Sequence, residues 1–138
     1  MSGTVQLCVF RAGDEELVVD IMRVQEIIPP LPVTKVPKAP KAVEGVVNLR
    51  GAVVPVIDVR AQLGLPEPQR APRPRLLVCR VGGQLLGLKV DAVSSVVRVE
   101  REALKSAPVG ATPYIVGVCH SGERLYPMLD VRALVRET

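Results

Sequence analysis

A chain of 138 residues that is 48% apolar can bury one ordinary core, or two very small ones that share a seam. Aromatics at 2%, dispersed basic residues behind a net charge of +4, and three cysteines without CxxC spacing argue against a nucleic-acid-binding face, a zinc site and a disulfide framework. No run approaches the ~18 apolar residues of a membrane span, so a cytoplasmic chain without direct membrane insertion is expected.

Valine dominates the apolar set, and proline and glycine recur throughout, so a mainly all-β fold of short strands is predicted. Residues 5–10 read as a strand, 12–15 as a turn, and 16–20 as the returning arm of a hairpin. Ile21, Val24, Ile27 and Ile28 then recur at three- and four-residue spacing, which predicts one or two helical turns ended by Pro29-Pro30. Their apolar side either packs in the core or lines a groove for a partner helix, with Glu26 beside it to meet a basic residue. Residues 29–41 carry Pro29, Pro30, Pro32, Pro37 and Pro40 among Lys35, Lys38 and Lys41. They form either a stiff surface loop with solvated lysines, the favoured reading, or a PxxP-type ligand for another module.

Residues 43–60 carry the strongest signal, because much of the segment returns 72 positions later. PVIDVRAQL at residues 55–63 reappears as PMLDVRALV at 127–135, and Gly45-Val46 as Gly117-Val118. Leu76 to Val81, Gly82-Gly83 and Gln84 to Val90 likewise repeat the opening hairpin. Val90, Val93, Val96 and Val97 repeat the Ile21 pattern, and a second short amphipathic piece is expected there. Residues 64–75, with four prolines and three arginines, read as a stiff exposed connector. The chain therefore divides into halves, 1–70 and 71–138, each a small β-barrel of about five short strands, joined as one intertwined domain. Pro55 and Pro127 interrupt strands and are expected at an edge. The first copy has Asn48-Leu49-Arg50-Gly51 where the second reads His120-Ser121-Gly122-Glu123. A polar feature confined to one of two similar units points to function.

No catalytic set survives inspection. His120 is the one histidine and falls at a turn. Asp58 and Asp130 occupy the same repeat position, so a shared structural role, capping the next turn or pairing with Arg60 and Arg132, outweighs a pair of catalytic carboxylates in a small hydrolase. Cys8, Cys79 and Cys119 lie in apolar runs and read as buried, reduced thiols. Nothing calls for a metal or another cofactor, and no enzyme activity is expected. Arg50, followed by Gly51, either braces its own turn or meets a partner carboxylate.

Val24-Gln25-Glu26-Ile27, Thr34-Lys35-Val36-Pro37, residues 45–51 and residues 54–60 together resemble the CheW-like coupling proteins of bacterial chemotaxis. Residues 87–91 and 125–134 fit as well, so the resemblance covers essentially the whole chain. It implies two SH3-like five-stranded β-barrels packed together, with short helical turns and strands shared across the seam. It also implies a non-catalytic adaptor that couples the cytoplasmic tip of a methyl-accepting chemoreceptor to the regulatory domain of a CheA-type histidine kinase, within chemoreceptor arrays. The matching receptor-binding positions are Val24, Glu26, Ile28, Gly45, Asn48 and Arg50. The loop at 106–114 is a few residues shorter than in typical members and carries Val109 where an aromatic is common. Ala107, Pro108 and Val109 would be its kinase or array-ring contacts. The alternative implied by that shortening is a variant that binds receptor without kinase and limits array growth.

Overall fold

Val-rich alternation produces eleven strands among the described residues, which in this computed structural model are 3–108 and 110–136. In chain order they are β1 (Thr4–Ala12), β2 (Glu15–Asp20), β3 (Val24–Ile28), β4 (Val43–Leu49), β5 (Ala52–Asp58), β6 (Arg75–Val81), β7 (Gln84–Val90), β8 (Ala92–Glu100), β9 (Leu104–Ser106), β10 (Ile115–Ser121) and β11 (Arg124–Leu129). Helices α1 (Val59–Gln62) and α2 (Val131–Arg136) follow β5 and β11. One sheet runs β8-β1-β2-β11-β10-β9 and the other β3-β6-β7-β5-β4. The sheets do not divide at residue 70. Hairpin β1–β2 joins the later strands β8 to β11, and hairpin β6–β7 joins the earlier strands β3 to β5.

The duplication reaches the irregularities. Gln25 is the extra residue of a bulge between β3 and β6, and Ser94, 69 positions on, is the extra residue between β8 and β1. Glu44 and Val116, 72 apart, are the matching bulges in β4–β5 and β10–β11. Gly45 and Gly117 sit one residue beyond them, where a chain segment crosses over the strand. A Cβ on Gly45 would collide with the Thr34 carbonyl, and one on Gly117 would lie 2.5 Å from the Lys105 carbonyl oxygen.

Two expectations fail. The predicted helical turns at Ile21 to Ile28 shrink to a 3-10 turn, Ile21–Arg23, followed by strand β3, and the matching piece around Val93 to Val97 is entirely strand. A spacing of four is common to helix and strand, and β-branched residues favour the strand. Pro55 and Pro127 lie in β5 and β11, which are interior strands rather than edges. Both are tolerated because the parallel partner on their open side is not yet engaged: β5 pairs with β7 only from Val56 onward, and β11 with β2 at Met128.

Three apolar clusters hold the sheets together. Leu7, Val9 and Val18 fill the interior of the first barrel, with Tyr126, and Val47, Val54, Val56 and Val78 fill the second. Between them lies the largest cluster, where Cys8, Phe10 and Val19 from one sheet meet Ile57, Leu77, Cys79 and Leu88 from the other, under Val131 and Leu134 of α2. Strand β1 is therefore buried on both faces from Leu7 to Ala12, which explains its nearly unbroken apolar run.

The connector at 64–75 has mostly exposed side chains, but its backbone is fastened down. Asp14 accepts hydrogen bonds from the Gln69 and Arg70 N–H groups at 3.0 Å, and these hold its carboxyl below the usual carboxylate range. Arg11, only 4% exposed, donates to the Ala71 carbonyl at 2.8 Å. Arg60 donates to the Leu65 carbonyl at 2.7 Å and pairs with Glu67 at 3.0 Å. These side chains supply partners for loop backbone that no sheet can satisfy.

Candidate functional site

Strands β3 and β4 end the second sheet on opposite sides, and one polar contact spans the gap between those two ends. It starts at the β4–β5 hairpin, where Leu49 faces Ala52 and leaves a two-residue loop of Arg50 and Gly51. Arg50 has φ 49° and Gly51 φ 88°, the signature of a type I′ turn, which matches the right-handed twist of the flanking strands. Asn or Gly ordinarily fills the first of these positions, and a long side chain there costs about 1–2 kcal/mol. At the same place in the second copy, Gly122 takes φ 62° and Glu123 avoids the strained region. The chain thus places an arginine where a cheaper residue would serve the backbone better.

Asn48 pins the turn from inside by accepting the Gly51 N–H at 2.8 Å. Arg50 does not brace its own turn through local carbonyls. Its Nη2 reaches across to Glu26 on β3 at 2.7 Å. The arginine side chain is 65% exposed and the glutamate 27%, so the pair contributes only about 0–1 kcal/mol. Among the described residues the guanidinium makes this one hydrogen bond, out of five N–H donors. The second carboxylate oxygen of Glu26 is buried without a hydrogen-bond partner, so Arg50 is what neutralises that group.

The other expected site positions differ in kind. Val24 and Ile28 are half-buried and pack against the seam cluster and the second-barrel cluster respectively. Gly45 is buried under Thr34 and Val33, so it shapes the strand crossing and offers no contact surface of its own. Asn48 and Arg50 are exposed at the hairpin end. Val53, 72% exposed opposite Asn48, completes this face, whereas Ile27, 40% exposed, follows Glu26 in β3 and so points to the other side of that strand. Alternation in β5 could have found Val53, since Val54 and Val56 point inward. The face is a guanidinium on a hairpin with the aliphatic Val53 beside it, suited to a carboxylate next to an apolar group.

The remaining candidates resolve into architecture. Asp58 caps α1 by accepting the Ala61 N–H, and Asp130 caps α2 by accepting the Arg132 and Ala133 N–H groups. Arg60 turns to the connector instead of to Asp58. The two aspartates line different cavities, Asp58 one of about 600 Å³ with Gln62 and Tyr114, and Asp130 one of about 190 Å³ with Arg23 and Arg132. His120 is exposed. Cys8, Cys79 and Cys119 are free and buried; burial raises all three thiols, that of Cys79 to about 12. No group of three or more His, Cys, Asp or Glu residues could hold a metal among the described residues, and no helix there is long and apolar enough to cross a membrane. Ala107, half-buried, and Pro108, exposed, follow β9, while Val109 lies outside the described residues. A link that the sequence did not reveal ties the two barrels: Gln62 of α1 donates to the Tyr114 hydroxyl at 2.8 Å, and Tyr114 accepts the Asp130 N–H through its carbonyl.

Comparison with known proteins extends the resemblance. The family described as CheW-like domain matches residues 6–138. A probable chemotaxis protein CheW of Rhizobium etli is 36% identical over 140 residues, covering 99% of this chain and 90% of that protein. Chemotaxis protein CheW of Klebsiella aerogenes is 33% identical and covers 94% of this chain and 81% of that protein. The crystal structure of scaffolding protein TtCheW from Thermoanaerobacter tengcongensis superposes with a TM-score of 0.86 at 26% identity, covering 96% of this chain and 92% of that one.

Proposed function

The chain belongs to the CheW-like domain family, and from that premise we propose that it is a non-catalytic scaffold, coupling the cytoplasmic tip of a methyl-accepting chemoreceptor to a CheA-type histidine kinase. Its place is the cytoplasmic side of chemoreceptor arrays. The observation that carries this reading is Arg50. A charged side chain held at φ 49°, at a cost of about 1–2 kcal/mol, recovers only an exposed ion pair worth about 0–1 kcal/mol, so the fold gives up more than it regains.

The receptor tip docks on the face around Arg50. Glu26 fixes the guanidinium's direction, Asn48 fixes the turn, and Val53 adds apolar contact beside them. Val24, Ile28 and Gly45 act from beneath by setting the position of β3 and β4. The kinase regulatory domain contacts the other barrel at the loop after the edge strand β9, through Ala107 and Pro108, with Val109, outside the described residues, as the third expected contact. Titration calorimetry of the chain against a receptor signalling-tip fragment, and separately against the kinase regulatory domain, tests both halves. Binding to each is expected. Failure to bind the receptor fragment would remove the proposal, and failure to bind the kinase domain alone would remove the coupling role.

A further inference from the structure

Arg50 is not the only strained cation. Lys38 has φ 61°, and these two are the only non-glycine residues with positive φ among the described residues. Lys38 lies in the proline-rich segment that crosses β4, where Thr34 and Val46 exchange backbone hydrogen bonds at 2.8 Å. Beyond that crossing, Lys35, Lys38 and Lys41 are all exposed, and none forms an ion pair among the described residues. Val33 and Val36, interleaved with them, are 37% and 43% exposed.

Beside this strap is an apolar slot of about 110 Å³ between Pro30, Leu31 and Val33 on one side and Val47, Val56 and Leu76 on the other. It has room for about four groups of water size, the heavy-atom count of one leucine side chain. Arg75 and Lys89 stand at its rim. Arg75 bonds only the neighbouring Pro74 carbonyl, and Lys89 shares its charge with Glu44. Lys35 and Lys38 on the strap, and half-buried Arg75 on the wall of the slot, therefore have no carboxylate partner among the described residues, while Lys41 at the strap's far end lines a separate cavity with Glu44 and Asp58.

We propose that the strap at residues 29–41 and the slot beneath it form a second docking surface, separate from the Arg50 turn, for an acidic segment of a partner protein that inserts one branched aliphatic side chain. Charge complementarity selects the acidic partner. The slot selects its apolar anchor, and a rigid proline-rich strap presents both without an ordering cost. Prolines at 29, 30, 32, 37 and 40 serve this surface by fixing backbone angles rather than by acting as a ligand themselves.

The test is a nuclear magnetic resonance titration of the full chain with acetyl-EDLEDLE-amide. Its comparison arms are the same peptide with serine for leucine, and vesicles containing anionic lipid. The acidic leucine peptide should shift the amides of Leu31, Val33, Lys38 and Lys89, and added salt should weaken it. The double variant Lys35→Glu and Lys38→Glu should bind it about fivefold less tightly, the loss expected from two exposed ion pairs of ordinary strength. The serine peptide, which does not depend on any variant folding, should shift these amides far less. Equal shifts from both peptides would mean charge-only adherence, and vesicle binding without peptide binding would mean a lipid surface. Either result, or no shift at all, overturns the proposal.

Discussion

Reversing the charge of Arg50 separates its binding role from its structural one. In Arg50→Glu the exposed pair with Glu26 is lost, worth at most about 1 kcal/mol, and two carboxylates then face each other at the gap between β3 and β4. Together these cost about 1–2 kcal/mol, well inside the ~5–15 kcal/mol that holds an ordinary domain. The variant should fold. Its affinity for a receptor-tip fragment should fall by about 2–4 kcal/mol, or roughly 30- to 1000-fold, because inverting one member of an interfacial charge pair leaves the other unpaired. Arg50→Asn sharpens the contrast. It loses the same pair but regains about 1 kcal/mol of turn strain, since asparagine tolerates φ > 0, so its stability should stay within about 0.5 kcal/mol of wild type. Its receptor affinity should still drop at least about tenfold, as for an interface anchor. Urea denaturation and titration calorimetry on both variants decide the matter. Unchanged receptor affinity in a folded Arg50→Glu variant refutes the site, and a loss of more than about 2 kcal/mol of stability in Arg50→Asn would make Arg50 a structural brace.

Gly45→Ala and Gly117→Ala should each destabilise by about 1–3 kcal/mol in urea denaturation, because the added methyl meets backbone that cannot retreat cheaply. If Gly45→Ala keeps full stability, the strand crossing is not what requires the glycine. Asp58→Ala and Asp130→Ala should each lose about 1 kcal/mol of capping without altering receptor binding, as read by the same two methods. Cys79 should resist a thiol-specific disulfide reagent in the native state at pH 8, where about one thiol in 10⁴ is ionised, and react fully only in denaturant. Because its folded value is raised above the ordinary 9, the stability it contributes is intact below pH 9 and is lost as pH rises toward 12; a melting temperature that is flat across this alkaline window would contradict the burial.

Much of the fold was readable because duplication and period reinforce each other. The two hairpins, the connector and the strand pairs at 43–58 and 115–129 all follow from alternation and turn residues. What resisted reading depends on long-range pairing. No local pattern says that hairpin β1–β2 leaves its own half for the other sheet, or that Pro55 is safe inside a sheet because β7 starts pairing one residue later. β3 looked helical because four-residue spacing is ambiguous and the bulge at Gln25 is set by its partner β6. For the site, Arg50 and Glu26 were legible as separate candidates. Their contact across 24 positions was not, and neither was the burial of Gly45, whose conformational role shows only when Thr34 is laid across it.

The exchanged hairpins account for why function sits in so small a feature. Both copies must keep the crossing glycine, the bulge, the proline inside the strand and the capping aspartate, since each sheet is built from pieces of both. A change at any of these positions disturbs both barrels and the seam they share. The hairpin tips are the positions freest to diverge, because their side chains leave the sheet and touch nothing the duplication requires. One tip took Arg-Gly with an asparagine to hold it, and the other took Gly-Glu. A scaffold whose two barrels share one plan distinguishes two partners through the features that its copies do not share, and the tips are among them. That is the physical reason to place the receptor on the Arg50 side and to look for the kinase on the other.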